Sequence, residues 1–157
     1  MSNKTVWESP DIVAAYARLT ELQPPELTIL DILRDTLGNA RMLDIGVGGG
    51  RTTLAFAGLV KTYVGIDYSE PMIEACRRKF RGAQGALSFW VGDAMSLSQF
   101  GDASFDFVLF SFNGVDYMPH ESRLKALSEM KRVARPGGYV CFSSHNLTTL
   151  REKPYRS

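Results

Sequence analysis

The stretch Met42-Leu-Asp-Ile-Gly-Val-Gly-Gly-Gly-Arg-Thr-Thr53 constrains this chain more than any other. It reads as a short apolar strand, an acid near the strand's end, a glycine turn and a helix start. Asp44, Gly46, Gly48 and Gly50 fall at every second position. Glycine at that density lets the backbone turn tightly and approach a ligand with no Cβ in the way. A helix opening at about Arg51 aims its free N–H groups into the same space. Such a turn suits a nucleotide-like ligand.

The rest of the chain sets the architecture. Apolar runs that read as strands fall at about 41–45, 60–67, 87–91, 105–112 and 139–144. The run Phe105-Asp-Phe-Val-Leu-Phe-Ser-Phe112 is nearly all apolar, as expected of a strand buried on both faces. Helical spacing predicts helices over about 10–20, 26–37, 51–58, from Ser69 onward and over 121–134. Ser9-Pro10-Asp11 supplies a hydroxyl cap, a first-turn proline and an acid. Gln23-Pro24-Pro25 reads as a break, and Arg135-Pro-Gly-Gly138 as a helix stop. Strands alternating with helices imply right-handed crossovers and a Rossmann-like, doubly wound parallel α/β sheet with five strands visible. Ligands in such sheets bind outside the carboxyl ends of the strands. Asp44, Asp67, Asp93, Ser111–Asn113 and His145 all fall there.

Composition narrows the class. At 157 residues the chain reads as one domain, and a net charge of +1 argues against nucleic acid or an anionic membrane surface as partner. No apolar run approaches the roughly 20 residues of a membrane span. The first eight residues hold no hydrophobic signal core, so a cytoplasmic setting is expected. Cys76 and Cys141 read as reduced core thiols, and no metal site is expected.

The glycine turn is not a dinucleotide fingerprint. Counting Gly-x-Gly-x-x-Gly from Gly46 reaches Arg51, and from Gly48 reaches Thr53. An acid at Asp44 would also crowd a pyrophosphate. A ligand with no phosphate and a positive centre suits the turn better. Asp67, one helix and one strand on, can accept from both hydroxyls of a ribose. Asp93 can accept from an exocyclic amine.

These residues reach a known family. Asp44-x-Gly46-x-Gly48-x-Gly50, Gly65-Ile-Asp67-Tyr-Ser, Gly92-Asp93-Ala94, Phe105-Asp106 and Arg135-Pro-Gly-Gly138 together resemble the class I S-adenosylmethionine-dependent methyltransferases. The match covers about residues 26–145, in order and at matching spacing. Phe110-Ser-Phe-Asn-Gly-Val-Asp-Tyr-Met118 is similar to bacterial small-molecule members. The resemblance implies S-adenosylmethionine as cofactor and a small-molecule acceptor. It implies that Gly46, Gly48 and Gly50 back the methionine moiety, with Asp44 near its ammonium. It further implies Asp67 on the ribose, Tyr68 and Met72 flanking the adenine, and Asp93 with the Ala94 amide at the adenine amine. Phe110, Ser111 and Phe112 would line the methionine side. Residues 1–25, with Trp7 and Tyr16, would form an N-terminal lid, and 146–157 a tail.

Methyl transfer from a sulfonium is an in-line displacement, for which the protein mainly supplies orientation. A base is needed only where the acceptor must lose a proton. The candidates are His120, His145, Tyr117 and Asp116, with His145 best placed just past the fifth strand. Family members usually carry seven strands, and strands six and seven are missing from this sequence. A fragment of a longer protein is therefore expected, with the fifth strand left as an open edge suited to self-association. The alternative function is a non-catalytic cofactor-binding or assembly module without an acceptor site.

Overall fold

The computed structural model describes residues 6–146. Its centre is a parallel sheet in the order β3-β2-β1-β4-β5. The strands are β1 (Arg41–Ile45), β2 (Thr62–Asp67), β3 (Ala86–Val91), β4 (Phe105–Phe110) and β5 (Ala134–Phe142). From β1 the chain steps outward through β2 and β3, then returns to lay β4 on the other side of β1. The order therefore reverses between β1 and β4, and a ligand crevice is expected above that switch.

Side-chain parity builds two cores. Met42 and Phe107 point to one face and Leu43 and Val108 to the other, as strand alternation requires. The first face is covered by α2 (Pro24–Leu33), the short α3 (Arg51–Phe56) and α4 (Glu70–Lys79). The second is covered by α5 (His120–Val133) and the segment around Leu97 and Phe100. The inner strands β1 and β4 are apolar on both faces because both faces are covered.

Local signals decide the boundaries, with three departures from expectation. Ser9 stands at the cap of α1 (Pro10–Arg18), yet its hydroxyl makes no capping bond. Gln23-Pro24-Pro25 does not merely break the chain. The prolines open α2, and Gln23 and Glu26 form a reciprocal capping box. Arg135-Pro-Gly-Gly138 does not form a stop ahead of the strand. It lies inside β5 as a bulge: Ala134 pairs with Phe105, Tyr139 pairs with Phe107, and Gly137 takes a φ of 77°. Arg135 closes the bulge through an ion pair with Asp106, 2.5 Å apart.

Helix α1 lies over the glycine turn. Val13 packs on Met72 and Ala75 of α4. Lys79 donates to the carbonyls of Ala17 and Gly49, at 3.0 and 3.2 Å. On the far side, Tyr139, Val140 and Phe142 of β5 are exposed, and among the described residues only β4 pairs with that strand. No helix of the described residues is long and apolar enough to cross a membrane.

Candidate functional site

The turn after β1 is shaped by left-handed glycines, Gly46, Gly48 and Gly50, with φ of 67°, 53° and 80°. Val47 between them donates to the Ile66 carbonyl at 3.0 Å, which pins the turn to the end of β2. The next residue of β2, Asp67, completes the junction. Its Oδ2 accepts the Gly48 amide at 3.0 Å and its Oδ1 accepts the Ser69 amide at 2.9 Å. Burial raises the Asp67 carboxyl above its ordinary value, against the pull of those amide bonds. The Tyr68 amide also bonds this carboxylate, whose roughly four lone-pair sites still leave room for a further donor.

A cavity of about 290 Å³ opens over this junction. Gly46, Gly48 and Asp67 line one wall, and Tyr68 and Met72 from the start of α4 continue it. Gly92, Asp93 and Ala94 line the wall beyond β3, where Asp93 accepts the Met95 amide at 2.8 Å. Phe110, Ser111 and Phe112 close the side beyond β4. Trp7 and Tyr16 roof the cavity, and Tyr117 and Met118 form its far end. The rings meet edge to face: Trp7 with Tyr16 at 5.3 Å, Trp7 with Tyr117 at 5.5 Å, and Tyr16 with Phe112 at 6.2 Å. Among the described residues, Asp67 and Asp93 are the charged residues of the lining, and no Lys or Arg lines it.

Five sequence candidates, Asp44, Gly50, Asp116, His120 and His145, stand outside the lining. Asp44 does not reach the cavity. It is buried beneath the turn and accepts the hydroxyls of Thr52 and Tyr63. Burial pushes its carboxyl up to about 6, with those two bonds pulling the other way. Gly50 is also off the cavity: a Cβ there would meet the Phe80 ring at 2.5 Å and Cys76 Sγ at 3.2 Å, so its role is packing. His145 lies outside the lining and is bonded to Asp116.

Sequence reasoning missed the pair behind the β4 side. Glu26 and Arg51 are both buried and joined by two bonds, the Nη2–Oε1 bond at 2.6 Å. Burial pushes Glu26 up, but bonds from Arg51, Ser111 and the Gln23 amide outweigh it and hold the carboxyl below its usual range. The Arg51 guanidinium lies 4.8 Å from the Phe112 ring centre. The pair thus connects α2, the glycine turn and the β4 exit. The one available signal was the Gln23-x-x-Glu26 spacing of a capping box. Among the described residues no group of three His, Cys, Asp or Glu side chains could hold a metal ion.

Residues 42–138 match the family model described as a methyltransferase domain. The chain is 39% identical over 103 residues to a demethylmenaquinone methyltransferase of Staphylococcus aureus, covering 64% of this chain and 41% of that protein. It is 28% identical over 140 residues to a ubiquinone biosynthesis O-methyltransferase of Thiobacillus denitrificans, covering 89% and 58%. Among solved structures, phosphoethanolamine N-methyltransferase 1 of Haemonchus contortus, in complex with phosphoethanolamine and S-adenosylhomocysteine, is similar with a TM-score of 0.69. It shares 25% identity, over 90% of this chain and 31% of that one. The chain spans about half the length of the curated relatives it matches.

Proposed function

This chain belongs to the class I S-adenosylmethionine-dependent methyltransferases, with S-adenosylmethionine as its cofactor, and we propose that it methylates a small ring-bearing molecule. The observation that carries this reading is the charge pattern of the cavity. Among the described residues its charged groups are two carboxylates at the ends of neighbouring strands, with no cation to meet a phosphate. Hydroxyl and amine donors on a ligand with a positive centre fit that lining; a pyrophosphate does not.

In this reading Asp67 takes the ribose hydroxyls on the lone pairs left free by Gly48 and Ser69. Tyr68 and Met72 flank the adenine, and Asp93 with the Ala94 amide takes its amine edge. Gly46 and Gly48 back the methionine moiety, while Gly50 shapes the turn from behind. Phe110, Ser111 and Phe112 line the methionine side. Asp44 acts from below by holding Thr52 at the head of α3. Trp7 and Tyr16 act as a lid that keeps water from the reacting atoms. Bound S-adenosylmethionine supplies an electrophilic methyl carbon on a positively charged sulfur.

The acceptor end, around Tyr117, Met118 and Phe112, is apolar and aromatic. That wall suits a flat, uncharged ring, and two of the relatives are named for quinone substrates. The unpaired thiols Cys76 and Cys141 support a reducing, cytoplasmic setting. The test is transfer of labelled methyl from S-adenosylmethionine to a reduced naphthoquinone. Label in the ring product is expected. A chain that binds S-adenosylhomocysteine yet labels phosphoethanolamine instead would overturn the acceptor class.

A further inference from the structure

The turns that follow β4 and β5 are tied together by a cluster that the cofactor site does not use. After β4, a 3₁₀ turn (Gly114–Tyr117) carries Asp116. Its Oδ2 accepts both the backbone amide of His145, at 2.7 Å, and the imidazole Nδ1, at 2.7 Å. Its Oδ1 accepts the Ser144 hydroxyl at 2.7 Å. The Asn113 amide donates to Ser143 Oγ at 2.8 Å, so two further side chains beyond β5 lock to the same turn.

This arrangement sets the state of the ring. A carboxylate on Nδ1 keeps the proton of the neutral imidazole there and leaves the lone pair on Nε2. The second contact agrees: the Asn113 side-chain amide lies 3.2 Å from Nε2, at donor distance to a lone pair. Asn113 is held at a φ of 58° between Phe112 and Gly114, and both of those residues line the cavity. The side chain that meets His145 Nε2 thus belongs to the segment that borders the aromatic acceptor end.

Building on the methyltransferase reading, we infer that His145, oriented by Asp116, is the proton acceptor for a ring hydroxyl, which makes the acceptor a phenol-type molecule. The hydroxyl displaces the Asn113 amide from Nε2. The O–H bond breaks toward Nε2, and the oxygen pair forms the new bond to the methyl carbon. The carbon–sulfur bond breaks with its electrons left on sulfur. The positive charge thereby passes from sulfur to the imidazole, which releases its proton to water because the side chain is 62% exposed. An amine acceptor attacks through its own lone pair and needs no such group before the displacement. Asp116 is the positioning residue. Burial raises its carboxyl, but the bonds from the His145 amide, Ser144 and the imidazole outweigh that and keep it ionised. Among the described residues it is the charged group bonded to the ring, with Asn113 as the neutral partner on the other nitrogen.

The test joins ¹⁵N NMR of the imidazole nitrogens to methyl transfer onto catechol, with His145→Gln used to assign the signals against His120. The expected result is a neutral ring protonated at Nδ1. Asp116→Asn mixes the tautomers, and Asp116→Glu restores protonation at Nδ1. His145→Gln lowers catechol methylation roughly a hundredfold or more, with S-adenosylhomocysteine affinity unchanged. A wild-type ring protonated at Nε2 overturns the inference, as does a full catechol rate in His145→Gln. Both results leave the cofactor reading intact, whereas loss of S-adenosylhomocysteine binding by the folded wild-type chain overturns the two together.

Discussion

Asp67 grips the glycine turn through the amide of Gly48, 3.0 Å from its Oδ2, so the end of β2 and the turn after β1 move as one piece. The same carboxylate starts α4 by accepting the Ser69 amide. In the proposed function, a single buried acid thus aligns the ribose end of the cavity with the backbone that faces the methionine end. Asp67→Ala removes the acceptor and frees two buried amides. Its affinity for S-adenosylhomocysteine is expected to fall roughly tenfold or more, the scale of a lost charged hydrogen bond. Calorimetric titration of the two chains measures it; equal affinities would remove the ribose assignment.

Glu26 and Arg51 make a second junction, and its energetics are asymmetric. Removing one partner leaves a buried charge unpaired. Glu26→Gln or Arg51→Met is therefore expected to lose about 3–5 kcal/mol of folding stability. The double variant, with no orphaned charge, should lose clearly less than the sum of the singles. Urea unfolding of the four chains tests this. Additive losses would mean that the pair is not coupled.

The pH dependence of stability should show the mark of Asp44. Its folded-state carboxyl is raised to about 6 from an ordinary 3.8, chiefly by burial. An acid raised in the folded state keeps its proton after the unfolded chain has lost it. That contribution to stability is therefore full below about pH 4 and declines as pH climbs to about 6. Asp67 is raised in the same direction. Asp44→Asn removes the Asp44 share. Relative to the unchanged chain, the variant should gain stability between pH 4 and 6, by on the order of 2–3 kcal/mol at most, and hold that difference above pH 6. Denaturation of both chains across this range measures the gap; a gap independent of pH would contradict the assignment.

The seating of α1 on the turn depends on a glycine. A Cβ on Gly49 would collide with the backbone of Tyr16 and Ala17, which cannot rotate aside as a side chain would. Gly49→Ala is therefore expected to push α1 off the turn and to destabilise the chain by about 1–3 kcal/mol. Faster proteolytic cleavage within 10–23 and faster release of S-adenosylhomocysteine should accompany it. Unchanged cleavage and release would mean that α1 does not seal the cavity.

Much of this was legible in the residues. The bounds of β1 and the buried run of β4 follow from apolar patterning, and Asp67 and Asp93 reach the cavity because each sits at or just past a strand end. The misplacement of Asp44 was avoidable. It shares strand parity with Met42, which points to the face covered by α3, so its carboxylate had to lie beneath that helix near Thr52. The bulge at Arg135–Gly138 was harder. Proline and glycine mark a turn and a bulge equally well, and only the register against Phe105 and Phe107 decides between them. The Glu26–Arg51 pair was hardest: the capping-box spacing of Gln23 and Glu26 marks a helix start, but nothing local to either residue reports a partner across the fold.

In the proposed function the cavity over the Gly48–Asp67 junction holds the nucleoside cofactor. Calorimetric titration of the folded wild-type chain with S-adenosylhomocysteine tests it most directly. One-to-one binding, weakened in Asp67→Ala, is expected. No binding by the folded chain, or binding that ignores the loss of Asp67, would contradict it.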